Sequence, residues 1–203
     1  MKVIGLTGRS GSGKTTLAGE LGKLGAVVLD GDRIAAELLL PGNPAFSKVL
    51  ETFGYDYLSP YGYLDRKALG KLVFNDSNAL KKLNEIVHPS FKDKVSAMLN
   101  ELRDSGKENC HTVLDAAVLF EARLDSLCDL IVAILCEEGT MAGRLSLREG
   151  ISRREAARRI AAQRALKGDY ELISRSDIVV ISRQDPKEME AWAKRIIRIA
   201  GGI

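Results

Sequence analysis

Apolar residues follow two rhythms along the chain. Five short aliphatic runs, KVIGLT (2–7), AVVLD (26–30), HTVLDA (111–116), DLIVAILC (129–136) and DIVVIS (177–182), read as strands of a buried sheet. TTLAGELGKLG, ending near Gly25, has helical character, so strand, helix and strand fall within about thirty residues, the βαβ unit of a parallel sheet. From Arg33 to about Asn109 the pattern is mostly helical, broken at PGNP (41–44), SPYGY (59–63) and His88-Pro89. A long arginine-rich helical segment covers about 139–167. DPKEMEAWAKRIIRIA (185–200) predicts a closing amphipathic helix capped by Asp185, with Pro186 in its first position. Strands alternating with helices, interrupted by two helical insertions, predict an α/β three-layer fold with its ligand at the C-terminal ends of the strands.

Composition narrows the class without naming the chemistry. The 203 residues suffice for one sizeable core, and 45% hydrophobic with 28% charged residues is ordinary for a globular protein. A net charge of +3 fits small anionic substrates as well as nucleic acid, so where the basic residues sit matters more than their sum. Cys110, Cys128 and Cys136 are widely spaced, and His88 and His111 are the only histidines. That excludes a structural zinc site and predicts buried thiols in a reducing compartment. No apolar stretch approaches the roughly 20 residues of a spanning helix, and the N-terminal run is too short for a signal peptide. The expectation is a cytoplasmic protein with neither a membrane nor a nucleic-acid partner.

Residues 8–15, Gly8-Arg9-Ser10-Gly11-Ser12-Gly13-Lys14-Thr15, satisfy GxxxxGK[ST] in full. Glycines let the backbone curl so that N–H groups point inward at phosphate oxygens, and the helix starting at about Gly13 aims its positive end at the same anion. Lys14 would reach the β- and γ-phosphates, and the Thr15 hydroxyl would bind Mg²⁺. An apolar strand before the loop and an amphipathic helix after it argue against a chance match.

A triphosphate site permits a GTPase, a transporter-type ATPase or a small-molecule kinase. NKxD, DxxG and LSGGQ-like signatures are all missing from the sequence. A kinase needs an acceptor domain, a basic lid and a carboxylate near the acceptor hydroxyl, and the two helical insertions stand where domain and lid belong. Arg144 and Arg148, four apart, share a helical face, and Arg153, Arg154, Arg158, Arg159 and Arg164 follow without a lysine. Arginine's planar fork suits phosphate. For most of these arginines a solvated face paired with Glu149 and Glu155 is the simpler reading; Arg144, just beyond the strongest strand, is the candidate for phosphate.

Several blocks, taken in order, resemble the dephospho-coenzyme A kinase family: IGLTGRSGSGKTT, GAVVLDGDRIA, PGNPAF, LDRKALGKLVFND, LNEIVHP, TVLDAAVLFEARLD and RLSLREGISRREAARRIAAQ with its terminal Gln163. The resemblance implies a three-layer P-loop kinase core with a parallel five-stranded sheet, formed by residues 1–32, 110–138 and 168–203. It also implies a helical coenzyme A-binding acceptor domain at 33–109 and an arginine-rich lid at 139–167. The implied reaction moves the ATP γ-phosphate to the ribose 3′-hydroxyl of dephospho-coenzyme A, the last step of coenzyme A synthesis. Alternatives are a kinase of another small hydroxylated acceptor, such as a nucleoside monophosphate, or a nucleotide-binding regulator without transfer activity. Oligomeric state is not legible.

By position, the resemblance assigns Gly11, Ser12, Gly13, Lys14, Thr15 and Thr16 to ATP, Asp32 to the base, and Lys14 and Arg144 to catalysis. It places His88, Leu119, Phe120 and Glu121 on the acceptor side. His88 is equally readable as a helix-terminal residue set by Pro89, and Phe120 as packing. Asp115, ending a strand, serves substrate and Mg²⁺ through water or caps the strand end. Asp32 is also the expected cap of a helix beginning near Arg33, leaving Asp30 to order Mg²⁺-bound water. There are three departures from the family pattern: Arg9-Ser10 within the loop, Ala117 in place of a proline that would stiffen the acceptor loop, and Ile181 where an Asn near adenine is expected.

Overall fold

A computed structural model describes residues 1–106, 110–166, 168–183 and 185–201. The expected boundaries at Asn109 and Lys167 lie outside the described residues. In chain order the elements are β1 (Val3–Thr7), α1 (Lys14–Lys23), β2 (Val27–Asp30), α2 (Gly31–Leu38), α3 (Pro44–Phe53), α4 (Arg66–Asn75), α5 (Ser77–Asp104), β3 (Thr112–Asp115), β4 (Leu130–Cys136), α6 (Glu138–Glu149), α7 (Arg153–Leu166), α8 (Asp169–Ser174), β5 (Ile178–Ser182) and α9 (Pro186–Ala200).

All five strands are parallel, in the order β2-β3-β1-β4-β5. The order reverses direction around β1, so a crevice opens at its C-terminal end. Register does the rest: Asp30 of β2 lies beside Asp115 of β3, and Leu6 of β1 lies beside Asp115. Two carboxylates and the start of the glycine-rich loop therefore arrive at one edge. β1 and β3 are buried along their whole length because both faces are covered there, whereas the edge strands β2 and β5 each leave residues exposed. Leu17, Leu21, Ala193 and Ile196 from α1 and α9 pack on one face. Ile34, Leu38, Phe91, Val95 and Leu99 from α2 and α5 pack on the other.

Two smaller apolar clusters stand apart from these layers. Phe46, Val49, Leu50, Leu64 and Leu69 gather α3 and α4 against the first half of α5. Met141, Ala142, Leu145, Ala156 and Ile160 join α6 to α7. The arginine-rich segment is thus a pair of packed helices, not one rod. Gly150, at φ +66°, ends α6 in the left-handed region, and the Ser152 hydroxyl accepts from Glu155 N–H to start α7.

Two expectations about local structure are corrected. No break occurs at His88-Pro89: α5 runs through it for 28 residues. An interior proline costs about 3 kcal/mol, but Ile86 before it and Phe91, Val95 and Leu99 after it are packed in the apolar layers, and that burial outweighs the loss. The second correction concerns the cap of α2. Asp30, not Asp32, is the cap: its Oδ1 accepts from Arg33 N–H at 3.0 Å, and the helix begins at Gly31. The closing helix does start at Pro186 with Asp185 accepting from Lys187 N–H. The three cysteines are only partly buried, which also revises the expectation of buried thiols; burial pushes the Cys128 thiol up to about 12.

Candidate active site

The glycine-rich loop leaves β1 and turns into α1. Gly13 caps α1 in a left-handed conformation with no side-chain acceptor, and the first turn has no acidic residue. The leading end of the helix thus carries neither a side-chain cap nor a carboxylate, which suits an anion. Ser12 is fully buried, with its hydroxyl unpartnered. Lys14 Nζ donates to the Arg9 carbonyl at 3.3 Å, which holds it back over the loop.

Lid and loop interlock. Arg144 Nη1 donates to the Gly11 carbonyl at 3.0 Å. At Gly11 (φ +78°) an added Cβ would lie 2.7 Å from the Met141 carbonyl oxygen, so only glycine lets α6 seat here. Ser10 N–H donates to Gln163 Oε1, and Gln163 Nε2 donates to Ser10 Oγ, both at 3.0 Å. Buried Arg9 pairs with Asp169 at the start of α8. The unusual Arg9-Ser10 pair thus ties the loop to α7 through Ser10 and to α8 through Arg9.

A pocket of about 360 Å³ lies over the loop, lined by Gly11, Lys14, Thr16, Arg144, Arg148 and Ser182 among others. Arg144 and Arg148 both face it, as their spacing predicts. Ile181 does not: its side chain is 55% exposed, while the next residue, Ser182, is buried in the pocket wall with its hydroxyl unpartnered. The strand residue that lines the pocket is therefore Ser182 and not Ile181. Buried Val180, exposed Ile181 and buried Ser182 follow the period-two alternation that could have identified it. Asp185, read from the sequence only as a helix cap, also lines this wall, as does Met189, which was not singled out.

On the other side of the loop lie the carboxylates. Thr15 Oγ1 donates to Asp115 Oδ2 at 2.9 Å. Burial raises the Asp115 pKa; the Lys14 charge and the Thr15 hydrogen bond oppose that rise, and the Asp32 and Asp30 charges add to it. These influences bring Asp115, Lys14, Thr15, Asp30 and Asp32 into one electrostatic neighbourhood. Gly31 makes the approach possible, since an added Cβ would lie 2.6 Å from the Asp115 carbonyl oxygen. Asp30 and Asp32 are both exposed, but Asp30 is engaged as the α2 cap, and Asp32 lies in the first turn of the helix.

The acceptor-side residues divide. His88 is partly buried, which lowers its pKa against the opposing hydrogen bond and charge of Glu121; the structure therefore joins these two. Leu119 and Phe120 are buried in the core, Phe120 beneath the Arg175 guanidinium at 4.0 Å, and offer no open surface to a ligand. Their packing holds Glu121 in place. Ala117 leaves no slack in this turn: Ala122, Arg123 and Leu124 donate backbone bonds to Val118, Phe120 and Leu119 at 2.8–3.1 Å. The remaining lid arginines also divide. Arg159 pairs with Glu149 and Glu155, and Arg164 with Glu138.

Comparison with known proteins agrees with this geometry. The sequence profile of the dephospho-CoA kinase family matches residues 2–185. A dephospho-CoA kinase from Geobacter sulfurreducens is 40% identical over 200 residues, covering 96% of this chain and 99% of the relative. A crystal structure from Thermus thermophilus superposes with a TM-score of 0.79 at 28% identity, over 99% of this chain and 98% of that one. A dephospho-CoA kinase structure from Campylobacter jejuni shares the fold, with a TM-score of 0.66 at 22% identity over 98% of this chain and 96% of that one.

Proposed function

The chain belongs to the dephospho-CoA kinase family, and from that premise we propose how its residues divide the work of phosphoryl transfer to dephospho-CoA. The reaction yields coenzyme A and is the final step of its synthesis. ATP is the donor. Gly11 to Thr16 and the leading N–H groups of α1 hold its phosphates, with the rest of the nucleotide in the pocket walled by Arg144, Arg148 and Ser182. Lys14, Arg144 and Arg148 offset the charge that spreads over the transferring group.

Asp32 is the base that takes the proton of the ribose 3′-hydroxyl. The observation that carries this assignment is the meeting of β2 and β3: Asp30 and Asp115 lie side by side, Asp30 is spent on the helix cap, and Asp32 is left exposed beside the loop. Residues 33–109 form the acceptor domain, where His88 and Glu121 face one another, and 139–167 form the lid that excludes water as a competing acceptor.

Magnesium fits this site. Thr15 and Asp115 supply hard oxygen donors, and no group of three or more His, Cys, Asp or Glu among the described residues forms an all-protein cage. That matches an ion held by one or two protein oxygens, water and phosphates. When bound, it neutralises charge on the phosphate oxygens. No helix among the described residues is long and apolar enough to cross a membrane, consistent with a cytoplasmic enzyme of small-molecule substrates.

The test is ADP formation with dephospho-CoA, with AMP, and with no acceptor. ADP that forms only with dephospho-CoA supports this reading. Equal rates in all three arms would overturn it.

A further inference from the structure

Phosphate binding through backbone N–H groups explains the glycines of the loop but not Arg9 and Ser10. Residues 8–13 contain three glycines, all with positive φ: Gly8 at +148°, Gly11 at +78° and Gly13 at +108°. Such a backbone has little stiffness of its own, so its shape depends on what the remaining side chains grip. There are three of these. Ser10 exchanges hydrogen bonds with Gln163 of α7. The Ser12 hydroxyl has no partner among the described residues. Arg9, only 6% exposed, forms an ion pair with Asp169.

Asp169 is a firm post for that pair. It opens α8, whose Leu172 is fully buried in the main core. Arg175, directly after the helix, pairs with Glu171 at 2.9 Å and with Asp125 at 3.1 Å, and its guanidinium covers the Phe120 ring. A buried guanidinium parted from its carboxylate is an uncompensated charge, so Arg9 stays where α8 puts it.

The main chain of Arg9 meets Lys14. The Arg9 carbonyl accepts from Ser12 N–H at 3.1 Å and from Lys14 Nζ at 3.3 Å. One peptide group therefore closes the turn of the loop and carries the ammonium. A lysine ammonium is strongly hydrated and rides on a flexible four-carbon stem. It stabilises a transferring phosphoryl group only if it is already in place when charge develops. Here the Arg9 carbonyl places Lys14, and Asp169 places Arg9.

We propose that Arg9 is a positioning residue for Lys14: its ion pair with Asp169 fixes the carbonyl that holds the lysine ammonium over the loop. This rests on the loop holding ATP, and it gives the departure from the family pattern at Arg9 a purpose. Without the ion pair the Arg9 peptide turns, Lys14 loses its carbonyl, and the loop meets the phosphates with its cation displaced. Arg9 itself contacts neither phosphate nor acceptor and acts through Lys14 alone.

The test is a double-mutant cycle on ATP affinity, read by titration calorimetry with magnesium present and no acceptor, so that turnover does not enter. The variants of the full chain are R9M, which keeps the buried stem, D169N, K14A and R9M/K14A. R9M and D169N should each bind ATP at least roughly fivefold more weakly than the parent. R9M/K14A should bind within about twofold of K14A, because Arg9 has nothing to position once the lysine is gone. A purely structural role would weaken ATP binding by the same factor in both backgrounds, and that result would overturn the inference. So would R9M and D169N binding ATP as the parent does. The Asp169 side chain is 41% exposed, so D169N and D169N/K14A carry the same cycle if R9M fails to fold. A parent that does not bind ATP would overturn the reading of the loop itself.

Discussion

Asp115 is placed under opposing demands. Its proposed role needs the carboxylate beside Lys14 and Thr15, yet burial and the neighbouring charges of Asp32 and Asp30 favour its neutral form. Its folded pKa is raised above the usual 3.8, so the folded chain keeps this proton to higher pH than the unfolded chain does. Stability is therefore lost as pH rises from 3.8 through the folded value, and the cost is fully present above it. Asp115→Asn removes that cost and keeps an oxygen for Thr15. Calorimetry of the ligand-free variant should show a higher Tm at pH 7, with transfer activity reduced at least ~100-fold. A lower Tm would show that the carboxylate is a net stabiliser. Gly31 belongs to the same logic, because the two carboxylates flanking it reach Asp115 only through a residue without Cβ.

At the scale of elements, the lid is held by specific bonds and not by its charge. Gln163 and Ser10 exchange two hydrogen bonds, Arg9 and Asp169 form a buried pairing, and Arg144 reaches the Gly11 carbonyl. Two of these contacts, from α6 and α7, join the arginine-rich helical pair to the glycine-rich loop, and the third ties the loop to α8. Gln163→Ala should raise KM for ATP by roughly three- to tenfold, the worth of one or two neutral hydrogen bonds. It should also speed amide exchange in α7 while leaving β1 and β4 protected; unchanged exchange in α7 would contradict the fastening. Strands and their order of appearance were readable because each is a compact apolar run. The passage of α5 through Pro89 was not, since its support comes from Phe91, Val95 and Leu99 meeting strands distant in sequence. Arg9-Ser10 could be recognised as unusual but not explained, because their partners come from α7 and α8.

For the whole molecule, one parallel sheet sorts the chemistry by strand. The end of β1 supplies the phosphate cradle, the ends of β2 and β3 the carboxylates, and the ends of β4 and β5 the lid root and the Ser182 wall. In the proposed function, donor and acceptor approach Lys14 and Thr15 from opposite sides, as in-line transfer requires. Much of this was legible: the GxxxxGK[ST] loop, Asp32, Asp115 and Arg144 all lie at the crevice. What could not be read was the division of roles between Asp30 and Asp32, which turns on where α2 begins. That division is most directly tested by Asp32→Asn, with ATP binding and dephospho-CoA turnover measured on the same preparation. The account predicts ATP affinity within about twofold of the parent and kcat lower by at least ~100-fold, the usual worth of a positioned base. Turnover within a few-fold of the parent would contradict it.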